Sequence, residues 1–437
     1  MKKNEIEYID KILALTKVEN GRKEIYDNLA YLALDLNEKD LARVLKELLK
    51  YPDGVDVLKE KWKILLNNSQ NSLDILRVYK ENPEISKLVL SDIQFLINYT
   101  DIFDSGLIAR ELIDLENGEE AIAENFDVLL EDCASNFDSL YIPLLKDEKH
   151  RKIAKEKFEI LKQNATAPEF FNFIRKIENL PEFEEEFNKY SFWEKLYSSI
   201  KVEKTAIPSI EEIYQMDMGE VSKALKMQDI PRIIDIEFKG LVNSKDMEEK
   251  RLILEEVSNG NDFEFLDVGS SSLVLKTGKQ VVKLGAGRMN YEVPYHPRLM
   301  MPYFRKQYDD NTILEVYNLG LTVPALISDQ ELLSIYKELE AAGILWSDAK
   351  KDNLLVLRED NDLPDFIKKS PNFNVFGFLD DDNFPTEKHV PLKKGDIVIC
   401  DLDYLYVKGD PNYSVGIPDD IILDYISRQK KEKGVDR

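Results

Sequence analysis

The sequence predicts an α+β protein in which an N-terminal α-solenoid of helix-pair repeats is followed by a smaller domain of two lobes. Residues 1–245 are dense in Leu, Ile, Glu and Lys at helical spacing, with almost no strand-like alternation. Short alternating segments separated by Gly- and Ser-rich turns begin only after residue 260. At 437 residues and 43% hydrophobic content, the chain can bury two sizeable cores. We therefore place one domain at residues 1–250 and the second at residues 251–437.

A repeat with a period in the low thirties runs through the N-terminal region. Its marker is an aromatic or aliphatic residue followed by further apolar positions, and turns with helix-stopping and N-capping residues separate the markers. The markers are Leu29, Trp62, Ile93, Phe126, Phe158 and Phe192. Such a period with two helices per unit is typical of an α-solenoid, and an irregular helical bundle is the alternative. The long surface of a solenoid predicts binding of a protein substrate or an activating protein partner.

Three antiparallel strands are predicted at residues 263–266, 273–275 and 280–284. The turn between the first two is made of small residues, which let backbone N–H groups approach phosphate oxygens. These turn residues are Gly269, Ser270, Ser271 and Ser272. Lys283 lies in the third strand, where its ammonium group could reach the same phosphates. A solvent-facing lysine is the alternative at this position.

An apolar helix is predicted at residues 329–342, where Gly343 stops it, and a short strand is predicted at residues 354–357. The run between them has the pattern D-x-K-x-x-N. Phosphoryl transfer needs a carboxylate at the attacking hydroxyl, a cation near the phosphate and an amide oxygen on Mg²⁺. The residues that supply these groups are Asp348, Lys350 and Asn353. A polar turn that closes the helix is the alternative interpretation.

A further strand at residues 396–400 leads directly into Asp401 and Asp403. A carboxylate at the end of a buried strand can hold a divalent metal against triphosphate oxygens. We therefore predict Asp401 as a ligand of Mg²⁺ or Mn²⁺, with Asp403 as a second carboxylate at the same ion. A solvated strand end is the alternative.

Residues 262–407 together resemble the protein-kinase-like superfamily. The matches are to the third-strand lysine, the catalytic aspartate, the phosphate-contacting lysine and two metal ligands of that family, in the same order and contexts. The matching residues are Lys283, Asp348, Lys350, Asn353 and Asp401. The resemblance implies a two-lobed fold with ATP and Mg²⁺ as cofactors. It also implies that residues 314–317 end the fifth strand and form a hinge, whose backbone at Glu315 and Tyr317 binds adenine.

The chain also departs from the pattern of the family. Only Gly269 remains of the three glycines in the G-x-G-x-x-G loop, and Trp346 stands where the family usually has His or Tyr. Residues 296–299 resemble the approach to the fourth strand, and the stretch between Lys283 and these residues is so short that a full αC helix hardly fits. Glu292 is the only carboxylate in that stretch. Pairing of Glu292 with Lys283 and an exposed turn position are both open.

The C-terminal part is short, because the chain after Asp401 leaves no room for an activation segment and the helices that complete a large lobe. Such shortening resembles the compact effector-type kinases that pathogenic bacteria inject into host cells. An insertion at residues 358–395 separates the two metal-ligand strands and is predicted to form an exposed loop. Asp403 replaces the usual glycine, as in the choline and aminoglycoside kinases.

These features favour an ATP- and Mg²⁺-dependent protein Ser/Thr kinase whose helical repeats recruit a substrate or an activator. Two alternatives stay open. The first is a pseudokinase scaffold that binds nucleotide without turnover, since the glycine loop is depleted. The second is a small-molecule kinase of the aminoglycoside or choline kinase type, since no activation segment fits. A further alternative for the helical region is that it packs on the shortened kinase lobe and replaces its missing part.

The composition restricts partners and compartment. A net charge of -24, from 59 basic and 83 acidic residues, argues against unaided binding to nucleic acid or to an anionic membrane. The two cysteines, Cys133 and Cys400, lie in separate domains and predict no disulfide framework. No apolar run has the length of a membrane span, and charges interrupt the N-terminal stretch where a signal peptide would lie. We expect a cytoplasmic protein, with action in a host cytoplasm as a secreted effector as the alternative. The sequence predicts no oligomeric state.

Overall fold

The protein has an α+β fold in which many helices accompany a small set of antiparallel strands. The computed structural model describes residues 3–69, 72–100, 102, 104–200, 218–268, 272–286, 296–308, 312–319, 322–347, 349, 351–361, 365–369, 392–400 and 405–408. The chain divides into two compact units, Met1–Ser191 and Phe192–Arg437. Within the described ranges, no helix combines the length and the apolar character needed to cross a membrane.

The first unit is entirely helical in its described residues. Its helices are α1 Lys3–Leu15, α2 Glu19–Asp35, α3 Glu38–Leu48, α4 Pro52–Asn68, α5 Ser72–Lys80, α6 Pro83–Leu90, α7 Ile93–Tyr99, α8 Ser105–Leu112, α9 Gly118–Glu124, α10 Phe126–Glu131, α11 Phe137–Tyr141, α12 Glu148–Glu156, α13 Phe158–Asn164, α14 Ala167–Lys176 and α15 Glu184–Ser199, the last of which extends into the second unit. Two 3₁₀ turns, Ile142–Lys146 and Pro181–Phe183, precede α12 and α15. The helices α2 and α4 are each continuous over 17 residues, whereas the later helices that follow a turn are divided into the pairs α6–α7, α9–α10 and α12–α13.

The residues that mark the predicted period form part of the core of this unit. Five of the six markers are at most 6% exposed, because each lies on the inward face of an amphipathic helix. These five are Leu29, Trp62, Ile93, Phe126 and Phe158. The sixth, Phe192, is half-buried and is the first residue of the second unit.

Polar side chains about one period apart connect successive helix pairs. The Arg22 guanidinium lies 3.0 Å from the Asp53 carboxylate, 31 residues away, and Arg77 lies 3.0 Å from Glu111, 34 residues away. Burial alone would raise the pKa of Glu111, but hydrogen bonds from Lys80 and Arg77 hold that pKa below its usual value. Glu111 therefore stays ionised between two cations, and each helix pair is tied to the next.

Glycines near helix starts allow neighbouring helices to approach closely. A Cβ atom on Gly54 would lie 2.1 Å from the carbonyl oxygen of Leu48, the last residue of the preceding helix. A Cβ atom on Gly118 would lie 2.0 Å from the carbonyl oxygen of Leu112, which likewise ends the preceding helix. These glycines are required because backbone occupies the space where a side chain would begin.

The second unit contains further helices and all the described strands. Its remaining helices are α16 Met218–Asn243, α17 Met247–Ser258, α18 Asp329–Ala341 and α19 Asp365–Lys369, and Lys351–Asn353 forms a 3₁₀ turn. Its strands are β1 Glu264–Val268, β2 Ser272–Thr277, β3 Gln280–Ala286, β4 Phe304–Gln307, β5 Thr312–Asn318, β6 Thr322–Pro324, β7 Ile344–Trp346, β8 Leu354–Leu357, β9 Ile397–Ile399 and β10 Leu405–Val407. They form a five-stranded sheet in the order β1-β2-β3-β5-β4, a three-stranded sheet β6-β8-β9 and the pair β7-β10, all antiparallel.

The three strands predicted between residues 263 and 284 are confirmed as β1, β2 and β3. The strands β2 and β3 form a hairpin in which Thr277 pairs with Gln280. Gly278 in this two-residue turn has a φ of 57°, a left-handed conformation that glycine adopts without steric cost. On one face of the sheet the hairpin contributes the buried side chains of Leu275 and Val282. The helix α16 contacts β1 and β2.

The helix predicted at residues 329–342 is α18. It begins at a capping box, in which the Ser328 hydroxyl accepts the Glu331 N–H and the Glu331 carboxylate accepts the Ser328 N–H. It ends before Gly343, whose φ of 78° is left-handed. The inward face of α18 shares a core with the two small sheets, and this core includes Leu339 and Trp346. The helix and these strands therefore form one packed body.

The domain boundary differs from the prediction. It was expected near residue 250, but the units divide between Ser191 and Phe192. The reason is that α16 and α17 belong with the five-stranded sheet: α16 contacts its first two strands, and the buried Lys250 of α17 places its ammonium 4.6 Å from the centre of the Tyr308 ring. The insertion at residues 358–395 was predicted to form an exposed loop, but its described parts contain α19 and a bridge between Asn361 and Leu392.

Gly54→Ala is expected to lower the free energy of unfolding of the first unit by about 1–3 kcal/mol, because the new methyl group meets the Leu48 carbonyl oxygen. Gly240→Ala is the matched control, since nothing lies within 4 Å of a Cβ atom at this position of α16. Alanine there should raise stability by about 0.5–1 kcal/mol. Urea unfolding followed by far-UV circular dichroism measures both, and equal effects of the two variants would contradict the close approach.

Candidate functional site

Lys283 lies in the middle of β3, near the centre of the five-stranded sheet, and is half-buried. The register places it between Val274 of β2 and Glu315 of β5, and places Arg305 of β4 opposite Glu315. Directly opposite residues of an antiparallel pair have Cβ atoms about 4.5–5.5 Å apart on one face. A valine, a lysine, a glutamate and an arginine therefore form one row across four strands.

The face of the sheet that carries Lys283 packs against β8 and β9. Val281 and Tyr317, which lie on this face, form a buried cluster with Leu357 of β8 and Val398 of β9. Since side chains alternate along a strand, Lys283 is on the same side of β3 as Val281, two residues earlier. The lysine therefore lies on the sheet face that packs against β8 and β9, the two strands that follow Asn353 and precede Asp401 in the sequence.

Glu315 is the centre of a buried polar network. Its side chain is 6% exposed, and the Nε atom of Arg305, itself 4% exposed, lies 3.3 Å from its Oε1 atom. The Tyr317 hydroxyl donates to the Oε2 atom at 2.7 Å. Two cationic side chains thus flank one carboxylate in the row. Sequence reasoning missed Arg305, because a single arginine in a short polar strand gives no signal until the strand register is known.

The residues predicted to form the hinge, 314–317, lie inside β5 and not at its end. Glu315 and Tyr317 are inside β5, which continues to Asn318, and Glu315 is paired on both sides, with β3 and with β4. Glu315 is therefore placed to act through its carboxylate, and its backbone is not at a strand terminus.

The ends of β7 and β10 bring two loop segments together. Trp346, the last residue of β7, is buried and pairs with Leu405, the first residue of β10. The chain segment after Trp346 carries Asp348 and Lys350, and the chain segment before Leu405 ends with Asp403 and Tyr404. The first segment therefore begins, and the second segment ends, at the paired residues Trp346 and Leu405.

The strands β8 and β9 bring together the other ends of the same segments. Leu354 pairs with Ile399, and the Cys400 N–H donates to the carbonyl oxygen of Asn353 at 3.0 Å. Asn353 is 7% exposed and closes the 3₁₀ turn before β8. The predicted metal ligand Asp401 therefore directly follows, in the sequence, a residue that is hydrogen-bonded to the other predicted ligand, Asn353.

The structure describes only some of the predicted site residues. Ser272 begins β2, is buried and pairs with Gly285 of β3; it is the last residue of the turn that was predicted to cradle phosphates. Asn353, Lys283, Glu315 and Tyr317 are described above. The predicted residues that lie outside the described ranges are Gly269, Ser270, Ser271, Glu292, Asp348, Lys350, Asp401 and Asp403.

Two acidic side chains of α18, one near each end of the helix, form ion pairs with the segments around residues 351 and 298. The Lys351 ammonium lies 2.9 Å from the Asp329 carboxylate at the start of α18. Near the other end of the helix, the Arg298 guanidinium donates to Glu338 at 3.0 Å. Burial lowers the pKa of His296, against an opposing effect of Glu338, so the imidazole favours its neutral form at pH 7.

Residues 296–299 were predicted to lead into the fourth strand, and β4 follows them at Phe304. Before that strand, the segment pairs with β9: the Ile399 N–H donates to the carbonyl oxygen of Arg298 at 2.7 Å, and the Met300 N–H donates to the carbonyl oxygen of Ile399 at 2.9 Å. The strand that precedes Asp401 is therefore hydrogen-bonded on both edges.

The described ranges contain no group of three or more His, Cys, Asp or Glu side chains arranged to hold a metal ion. Two of the three predicted ligands, Asp401 and Asp403, lie outside those ranges. Comparison of the chain with protein-family models, with curated proteins and with solved structures gives no match. The functional conclusion therefore depends on the geometry of this chain alone.

Proposed function

We propose that the second unit is an ATP- and Mg²⁺-dependent phosphotransferase of protein-kinase-like architecture, with Ser or Thr hydroxyls of proteins as acceptors. One observation carries the proposal. The sheet face that bears Lys283 packs against β8 and β9. The segment that carries Asp348 begins after Trp346 and ends before Asn353, and the segment that carries Asp401 begins after Cys400 and ends before Leu405. Trp346 pairs with Leu405, and Asn353 is hydrogen-bonded to Cys400, so the two segments are joined at both ends. Residues far apart in the sequence are thereby attached to one region.

The sheet supports the kinase-like interpretation independently of the motif. A five-stranded antiparallel sheet with a lysine in its third strand is the small lobe that the resemblance implies. The apolar side chains of Val274 and Val281 on the same face belong to the cluster that includes Leu355 of β8. An apolar surface next to a lysine suits a purine base attached to a triphosphate.

The roles of the side chains follow from the needs of phosphoryl transfer, which are positioning and charge neutralisation. Asp348 would accept a hydrogen bond from the acceptor hydroxyl and orient it, while Lys283 and Lys350 would neutralise phosphate charge. Mg²⁺ prefers amide and carboxylate oxygens, which are offered here by Asn353, Asp401 and Asp403. Asn353 is a buried amide directly before β8. A bound Mg²⁺ would offset the charge that develops on the transferred phosphoryl group.

The first unit is, in this proposal, an α-solenoid of helix-pair repeats that recruits a protein substrate or an activator. Supporting this, the predicted markers are buried at intervals of about one period, and side-chain contacts join neighbouring pairs. The rings of Trp62 and Phe95, which lie one period apart, have centroids 5.3 Å apart in an edge-to-face contact. Nearest-neighbour contacts of this kind are the organisation of a repeat array.

The test is transfer of labelled γ-phosphate from ATP by the parent protein and by Asp348→Ala. The acceptors are a pool of Ser- and Thr-containing peptides and, separately, amino alcohols, aminoglycosides and sugars. Loss of the catalytic carboxylate should reduce kcat by about 10²–10⁴-fold. Asp365→Ala, at the exposed start of α19, is the matched control and should keep the parent rate. Undiminished transfer by Asp348→Ala would refute the assignment.

The same assay separates the two alternative functions. A pseudokinase scaffold would show Mg²⁺- and ATP-dependent thermal stabilisation of the parent protein without turnover on any acceptor. A small-molecule kinase would phosphorylate amino alcohols, aminoglycosides or sugars and leave the peptides unmodified. Phosphorylation of the peptides alone is the result expected from the proposed function.

A further inference from the structure

Apolar side chains recur on the outer surface of the first unit at one position in five successive helix pairs, at intervals close to the period of the repeat. These residues, which we call the apolar ridge, are Tyr31, Ile64, Ile97, Val128 and Ile160. Tyr31 is 77% exposed, Ile64 is 50% exposed and Ile160 is 36% exposed, while the other two are half-buried.

The position of the ridge follows from helix geometry. Each ridge residue comes two positions after an inward-facing aromatic or aliphatic residue, such as the buried Leu29, Trp62 or Phe158. Two positions correspond to about 200° around a helix, because successive residues are about 100° apart. The ridge therefore faces away from the core in every repeat. Single exposed apolar residues are ordinary, but three exposed and two half-buried ones at the same position of a repeated unit form a recurring feature.

A row of carboxylates accompanies the apolar ridge. Four residues earlier in the sequence, four of the five helix pairs carry an exposed acid, and none of the four forms an ion pair within the described part of the chain. Asp27 and Glu60 lie in the same helix as their ridge residues, whereas Glu124 and Glu156 end the helix before it. This acidic row consists of Asp27, Glu60, Glu124 and Glu156. In the remaining pair the position is Ile93, which is buried where α7 begins.

One member of the acidic row, Glu124, borders a cavity of about 530 Å³ within the same unit. Glu124 lines this cavity together with Asp114, Glu120 and Asp147. The basic side chains in its wall already have acidic partners, since Lys146 pairs with Glu119, and His150 with Asp147. The cavity could accept a long basic side chain that approaches along the acidic row.

We propose that the apolar ridge and the acidic row together bind a basic amphipathic helix of a partner protein. Neighbouring packed helices lie about 8–10 Å apart, and two turns of an α-helix advance about 11 Å. A partner helix that crosses the repeats can therefore present one apolar residue per repeat, at about every seventh position, with Lys or Arg one turn away facing the carboxylates. This surface rests on the recruiting role proposed for the helical unit and is independent of phosphoryl transfer.

Charge selects this occupant over a second copy of the chain. Each copy carries a formal charge of -24 and would bring the same carboxylates to the interface. Like charges placed opposite each other oppose association, whereas a basic helix neutralises the row as it covers the ridge.

The test uses the full chain and a fluorescein-labelled synthetic helix of four heptads, with Leu at every seventh position and Lys or Arg one turn from each Leu. Fluorescence anisotropy should show binding that weakens as salt concentration rises. A peptide with Glu in place of the basic residues, and one with Ser in place of Leu, should each bind at least tenfold more weakly. Binding of the parent protein to all three peptides alike would overturn the proposal, as would no binding of the basic peptide.

Variants of the protein locate the surface. The double variants Tyr31→Ser with Ile64→Ser, and Glu60→Lys with Glu124→Lys, should each raise Kd for the basic peptide at least tenfold. Ile236→Ser and Asp10→Lys change exposed residues that belong neither to the apolar ridge nor to the acidic row, and should leave Kd unchanged. Parent-like binding by the ridge variants, or a parent dimer that these substitutions dissociate, would overturn the proposal. Phosphoryl transfer to a small peptide acceptor is measured in parallel, so a failed binding site and a failed enzyme assignment give different results.

Discussion

Lys283→Met should lower kcat/KM for phosphoryl transfer by about 10²–10³-fold, the usual effect of removing one preorganised charge from the transition state. The half-buried lysine lies on the sheet face that packs against β8 and β9, and methionine preserves its apolar stem while removing the ammonium group. Transfer of labelled γ-phosphate to the preferred acceptor, at ATP concentrations that span KM, measures the change.

Lys279→Met is the control for this prediction. Lys279 lies in the turn between β2 and β3, on the same hairpin as Lys283, and its exposed ammonium pairs with Glu359. Its removal should leave kcat/KM within about twofold, because an exposed ion pair contributes little. Equal activity of the Lys283 and Lys279 variants would show that Lys283 does not contact the nucleotide, even if transfer itself occurs.

Arg305→Met is expected to lower the free energy of unfolding by about 3–5 kcal/mol, because the substitution leaves the buried Glu315 carboxylate without its arginine. The two side chains are 4% and 6% exposed, so water cannot replace the lost partner. Tyr317 and Lys283 remain next to Glu315, but a neutral hydrogen bond and a half-buried lysine do not replace the buried guanidinium. Urea unfolding followed by tryptophan fluorescence measures the difference.

Lys306→Met provides the comparison from the next position of the same strand. Its ammonium pairs with Glu249, and both side chains are more than 40% exposed, so the loss should be no more than about 1 kcal/mol. The double variant Arg305→Met with Glu315→Leu removes the buried carboxylate as well and should recover much of the stability. If the double variant is as unstable as Arg305→Met, then lost volume, and not uncompensated charge, explains the effect.

The parts of the fold that depend on local chemistry could be predicted from the sequence. The start and end of α18 follow from Ser328, Glu331 and Gly343, which act within one or two turns of the helix. The hairpin of β2 and β3 follows from a glycine in a two-residue turn between alternating strands. In both cases the residues that determine the structure are neighbours in the sequence.

The parts that depend on tertiary contacts could not be predicted in the same way. The helix α16 has the composition of the repeat helices before it, yet it contacts β1 and β2, and so the domain boundary was expected too late in the chain. The buried pair of Arg305 and Glu315 depends on the register between β4 and β5, which sequence periodicity does not specify. The position of Glu315 inside its strand was missed for the same reason.

The two-sided hydrogen bonding of β9 restricts how the five-stranded sheet can move relative to β8 and β9. One edge of β9 pairs with β8, and the other edge bonds to residues 298–300, which lead into the five-stranded sheet at Phe304. A rotation of that sheet away from α18 must either break the bonds at Ile399 or pivot about them. The least costly rotation keeps those bonds and uses them as its axis, so Lys283 would move while the backbone of β9 stays fixed. In such a motion Lys283 moves, and β9, which precedes the predicted metal ligand Asp401, stays in place.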